Sequence, residues 1–123
     1  MFCALLVDSD ASYRQALSDV LRVYFPSIGV DEAGDGAEAV NKVDYLRPNI
    51  IFMDMELPGK NGLELLKNIK QVYRDIEIVI LATSNLPDCH QQAILYGADS
   101  YISKQDDSYM EEILRRIEDA MAE

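Results

Sequence analysis

Apolar positions along this chain fall into two alternating kinds of pattern. Short continuous runs appear at Cys3–Val7, Ile50–Met53 and Ile76–Ala82. Each is partly β-branched, bounded by polar residues and free of in–out alternation, as suits parallel strands covered on both faces. Ile28–Ala33 and Ser100–Ser103 are weaker strands of the same kind. Between the runs the period becomes helical. Leu17, Val20, Leu21 and Tyr24 make a first stripe, stopped by Pro26; Ala39, Val40, Val43 and Leu46 make a second, ended by Pro48. Gly62, Leu65, Leu66, Ile69 and Val72 or Tyr73 give a third. Pro87 opens a fourth helix and Gly97 closes it. Met110, Ile113, Leu114, Ile117 and Met121 form the last stripe. Strand and helix alternate five times, which predicts an α/β fold. One parallel sheet would carry helices on both faces, joined by right-handed crossovers.

No linker, repeat or low-complexity stretch interrupts this alternation, so one domain is expected over residues 1–123. That length is long enough to hide roughly two-thirds of the unfolded surface. The apolar fraction of 49% argues against disorder. Charge is the outlier: 22 acidic residues face 11 basic ones, a formal net charge of -11. Such a chain repels phosphate backbones and anionic lipid, so neither nucleic acid nor a membrane surface is expected to bind it. There is no run of about 20 apolar residues to span a membrane. The segment Met1–Val7 lacks a basic start and soon meets Asp8 and Asp10, unlike a secretory signal. A cytoplasmic setting follows, with Cys3 and Cys89 as reduced thiols without metal-ligand spacing.

In an open α/β sheet, ligands bind beyond the carboxyl ends of the strands, where the strand order reverses. The strand ends read Val7-Asp8-Ser9-Asp10, Met53-Asp54-Met55-Glu56, Ala82-Thr83-Ser84 and Ser103-Lys104. If the first and third strands are neighbours, Asp8 and Asp54 converge. Converging carboxylates raise each other's pKa unless a cation intervenes, and a hard divalent ion such as Mg²⁺ meets that need. Thr83 adds a hydroxyl and Lys104 a mobile positive charge. One carboxylate nucleophile, one Mg²⁺, one hydroxyl and one lysine compose a site for phosphoryl transfer onto Asp54.

These residues resemble the receiver domain of two-component response regulators, the CheY-like family. Ile50 to Leu65 fits that family's D-x₃-P-x₃-G signature through Asp54, Pro58 and Gly62. Leu6-Val7-Asp8, Ala82-Thr83-Ser84, Gly97-Ala98-Asp99 and Tyr101-Ile102-Ser103-Lys104 follow at family spacing. The resemblance implies a three-layer flavodoxin-like (βα)5 fold with strand order 2-1-3-4-5. It implies that Asp54 accepts a phosphoryl group from a sensor histidine kinase or phosphotransfer protein. Asp8, Asp54 and the main-chain carbonyl of Glu56 would hold Mg²⁺. Thr83 and Lys104 would contact the phosphoryl group, and Tyr101 would change rotamer as Thr83 moves. The output partner, or a second copy, would meet the face made by the fourth helix, fifth strand and fifth helix. Such a domain signals; its only chemistry is its own phosphorylation and dephosphorylation.

One departure stands out. The family usually places two adjacent acids after the first strand, and here the second is Ser9. Its neutral hydroxyl is a poorer Mg²⁺ ligand than a carboxylate. Asp10 could supply the missing charge, or could instead cap the first helix. Three outcomes are compatible with the chain: a stand-alone regulator, a receiver excised from a helix-turn-helix transcriptional regulator, or a degenerate receiver that works without phosphorylation. Tyr13-Arg14-Gln15-Ala16-Leu17 is similar to the second group. A flavin carrier is disfavoured because Asp8-Ser9-Asp10 would repel its phosphate. A capped Asp-phosphatase is disfavoured because Ala11-Ser12 breaks its D-x-D-x-[TV] pattern.

Overall fold

The computed structural model describes residues 1–58 and 60–123. Five strands, β1 (Cys3–Val7), β2 (Gly29–Ala33), β3 (Ile50–Asp54), β4 (Glu77–Ala82) and β5 (Ser100–Ser103), form one parallel sheet. Their order is β2-β1-β3-β4-β5, as expected. Five helices alternate with them: α1 (Ala11–Tyr24), α2 (Gly36–Leu46), α3 (Gly62–Val72), α4 (Pro87–Leu95) and α5 (Tyr109–Ala122). A short antiparallel ribbon, Glu56–Leu57 against Lys60–Asn61, links β3 to α3 and had no counterpart in the hydrophobic pattern.

Successive strand residues point to opposite faces, so each strand feeds two cores. Leu5, Val7, Ile51, Met53, Ile78 and Ile80 pack with Ala39, Val43, Leu65, Leu66, Ile69 and Ala93 beneath α2, α3 and α4. Ala4, Leu6, Ile50, Phe52, Val79 and Leu81 pack with Leu17, Leu21, Ile113 and Ile117 beneath α1 and α5. Burial on both faces is why the strand sequences run apolar without alternation. The helical stripes overreach at their ends: Tyr24, Val72 and Met121 are exposed. Each lies in the last turn of its helix, where the sheet no longer lies beneath. Tyr73, just past α3, is half-buried instead and donates its hydroxyl to Asp44 at 2.5 Å.

Local chemistry sets the helix ends. Asp10 caps α1, its Oδ1 accepting the amides of Ser12 and Tyr13 at 3.0 and 3.1 Å. Asp35 accepts from the Glu38 amide while the Glu38 carboxylate accepts from Gly34, a reciprocal cap on α2. Asn61 caps α3 through the Leu63 amide. Beyond α4, Gly97 adopts φ of 112°, a left-handed conformation that favours glycine, and turns the chain toward β5. On the outermost strand, Arg14 pairs with Glu32 at 3.1 Å and Lys42 with Asp31 at 2.8 Å.

Candidate functional site

The carboxyl ends of β1 and β3 lie side by side, with Val7 opposite Met53. Chain direction across the sheet reverses here, since β1 stands between β2 and β3. Asp8 follows β1 and is buried; its amide bonds the Ala33 carbonyl at 3.1 Å. Asp54 ends β3, and Thr83 follows β4 directly in an exposed position. Lys104 follows β5, anchored by its amide on the Ala82 carbonyl at 2.7 Å. Asp8, Asp54 and Lys104 come together as the sequence suggested. The Lys104 ammonium lies 3.2 Å from Asp8 Oδ2 and 3.9 Å from Asp54 Oδ2. Lys104 and Asp8 are 96 residues apart in the chain, and only the winding of the sheet brings them together.

Each carboxylate also has a backbone partner. Asp8 Oδ1 accepts from the Asp10 amide at 2.9 Å, and Asp54 Oδ1 accepts from the Glu56 amide at 3.0 Å. Burial raises the Asp54 pKa above the usual carboxylate range. The Glu56 amide and Lys104 pull it back, while the Asp8 and Glu56 charges push it further up.

Ser9 and Asp10 are both exposed. Of the two roles open to Asp10, the helix cap is the one its Oδ1 fills. Among the described residues, no three His, Cys, Asp or Glu side chains gather to hold a metal ion. The Asp8 and Asp54 carboxylates, gathered around Lys104, still suit Mg²⁺, which commonly takes one or two carboxylates and fills its shell with water.

Three neighbours escaped the sequence reading. The guanidinium of Arg14 donates to the Asp8 carbonyl while its Nε holds Glu32, clamping the β1 end from the side of α1. The Tyr13 ring lies under the Lys104 ammonium, 4.2 Å from Nζ to centroid. His90 lies exposed on α4 and stacks on Tyr101 with centroids 5.1 Å apart and planes 8° from parallel. Tyr101 is half-buried and donates its hydroxyl to the Ser84 carbonyl at 2.6 Å, next to Thr83. The only available signal was helical phase: Tyr13 shares the first turn of α1 with its cap, at the same sheet edge as Asp8.

The doubly wound sheet thus gathers two acids and a lysine at its switch point. The model of the response regulator receiver domain matches residues 4–118, and the chain belongs to that family, the receivers of two-component systems. It is 29% identical to the nitrate/nitrite response regulator protein NarL of Escherichia coli K12, over 96% of this chain and 54% of that protein. It is 34% identical to the DNA-binding transcriptional activator DevR/DosR of Mycobacterium tuberculosis, over 85% of this chain and 48% of that protein. The chain thus spans about half the length of these relatives. The crystal structure of chemotaxis protein CheY4 of Vibrio cholerae superposes with a TM-score of 0.85 at 28% identity, covering 98% of each chain. Among the described residues, no helix is long and apolar enough to cross a membrane.

Proposed function

We propose that residues 1–123 form one cytoplasmic receiver domain. In it Asp54 accepts a phosphoryl group from a histidine kinase or phosphotransfer protein. The observation that carries this is the Lys104 ammonium against both Asp8 and Asp54. An Asp54 oxygen attacks phosphorus as the bond from phosphorus to the donor's imidazole nitrogen breaks. The P–O bond that forms makes an acyl phosphate. Asp8, Asp54 and the Glu56 carbonyl would hold Mg²⁺, which supplies the positive charge that phosphoryl oxygens require. Lys104 would follow one phosphoryl oxygen, and the Thr83 hydroxyl would donate to another.

The readout follows from the hydrogen bond between Tyr101 and the Ser84 carbonyl. Phosphorylation adds about two negative charges at neutral pH. If Thr83 moves toward them, Ser84 moves with it and Tyr101 loses or re-aims its bond. That change reaches the face of α4, β5 and α5, where a partner or a second copy would read it. The relatedness to NarL and DevR/DosR favours a DNA-binding output carried outside this segment.

Beryllofluoride with Mg²⁺, an acyl-phosphate mimic, is expected to shift amide NMR signals around Thr83 and Tyr101. Unmoved signals, or the same shifts in Asp54→Ala, would indicate a receiver that works without phosphorylation. Ser9→Asp is expected to tighten Mg²⁺. An extra charge near a divalent ion is worth about 2 kcal/mol even in high dielectric, so Kd should fall roughly thirtyfold. Equal affinities in a Mg²⁺ titration of the two proteins would show that Ser9 does not limit the metal site.

A further inference from the structure

We propose that Tyr13 is a positioning residue for Lys104, its ring face holding the ammonium beside Asp8 and Asp54 before any phosphoryl group arrives. The proposal rests on Asp54 being the phosphoacceptor. A lysine is a strongly hydrated point charge on a flexible four-carbon stem, and left to itself it would spread over many rotamers toward water. Here Nζ has three attractive neighbours: Asp8 at 3.2 Å, Asp54 at 3.9 Å and the Tyr13 ring at 4.2 Å. The two carboxylates lie on the sheet side, and the ring closes the side of α1.

The ring is itself fixed. Tyr13 and Tyr109 both pack on the core cluster that includes Leu17 and Ile113, between α1 and α5. The Tyr13 hydroxyl is buried, and it lies near Tyr109 without meeting hydrogen-bond geometry. The π face of Tyr13 lies against the Lys104 ammonium. The ring adds attraction for the ammonium without adding a further negative charge beside Asp8 and Asp54.

The test compares the full chain with Tyr13→Leu, Tyr13→Phe and a series bearing progressively fluorinated phenylalanine at position 13. Two quantities are read: the shielding of the Lys104 ε-methylene by NMR, and the rate of phosphorylation by acetyl phosphate with Mg²⁺. Tyr13→Leu is expected to lose the shielding and slow phosphorylation about three- to tenfold, the size of a partly desolvated cation–π contact. Tyr13→Phe should keep both. The fluorinated series, nearly constant in ring volume, should lose rate stepwise with fluorine content, which a purely structural role for the ring would not produce. A Leu variant that reacts like the wild type, or a flat fluorine series, overturns the proposal. Should the wild type take up no phosphoryl group, the phosphoacceptor reading fails. Lys104 shielding and its loss in Tyr13→Leu then decide the contact independently.

Discussion

Asp54→Asn is expected to abolish phosphoryl uptake without weakening the fold. In the wild type, acetyl phosphate and Mg²⁺ should add one phosphoryl group per chain, read as a single mass increment; the variant should show none. The amide keeps the carbonyl oxygen that accepts the Glu56 amide at 3.0 Å in the wild type, so the β3 end should hold its shape. It removes the nucleophilic charge and with it the repulsion from Asp8. The sign of the stability change follows from the pKa. Asp54 is raised by burial, so the folded state binds its proton more tightly than the unfolded chain does. Ionised Asp54 therefore opposes folding, and that penalty is present above its raised folded pKa and relieved as pH falls through it. At neutral pH the variant should melt no lower than the wild type. A variant still phosphorylated to the wild-type level would move the acceptor to another residue. A clearly lower melting temperature would mean that the carboxylate supports the fold rather than straining it.

Gly62→Ala should carry a large stability cost for a single added methyl group. Gly62 begins α3 and is buried. A Cβ there would stand 2.2 Å from the Met55 carbonyl oxygen and 2.8 Å from its carbonyl carbon. These are backbone atoms and cannot rotate aside. The approach is this close because the ribbon of Glu56–Leu57 and Lys60–Asn61 folds the chain back on itself before the helix starts. Relief requires moving Met55, which joins Asp54 to Glu56. The cost is expected to be about 3 kcal/mol, at the upper end for overpacking. That would lower the melting temperature by on the order of 10 °C in a domain of this size. Gly34→Ala is the control: its Cβ would meet the Arg14 guanidinium at 3.4 Å, an ordinary contact. Urea titrations of the two variants should differ several-fold in stability loss, and similar losses would remove the argument.

Much of this molecule was legible in its sequence, for identifiable reasons. A parallel strand buried on both faces has no polar positions, so Cys3–Val7 was bounded by composition alone. The acids and the lysine could be placed because each directly follows or ends a strand, and the carboxyl edge is where chemistry gathers in such sheets. Helix periodicity gives a face but not where the sheet stops beneath it, and Tyr24 and Val72 were assigned to the core for that reason. The ribbon after Asp54 is two residues per strand, too short for any period. Contacts such as Lys104 over Tyr13 or His90 on Tyr101 join residues from different elements. No local pattern encodes them, although the cap at Asp10 does fix the turn that carries Tyr13.

The ion pairs along β2 have a consequence for life in a crowded solution. As an edge strand it would offer its backbone to the sheets of separate molecules, but its outward groups are already taken: the Val30 carbonyl accepts from Arg22, the Glu32 carbonyl from Lys42, and the Glu32 amide donates to Asp31. Asp31 and Glu32 sit in the middle of that strand, each already held by a cation from its own chain, Lys42 and Arg14. A second molecule approaching edge to edge would bring its own Asp31 and Glu32 against these, with both cations committed at home. Like charges then meet across the forming ladder. The sheet is thereby discouraged from growing past β2, and part of the acidity that marked the sequence guards that edge against the same edge of another copy.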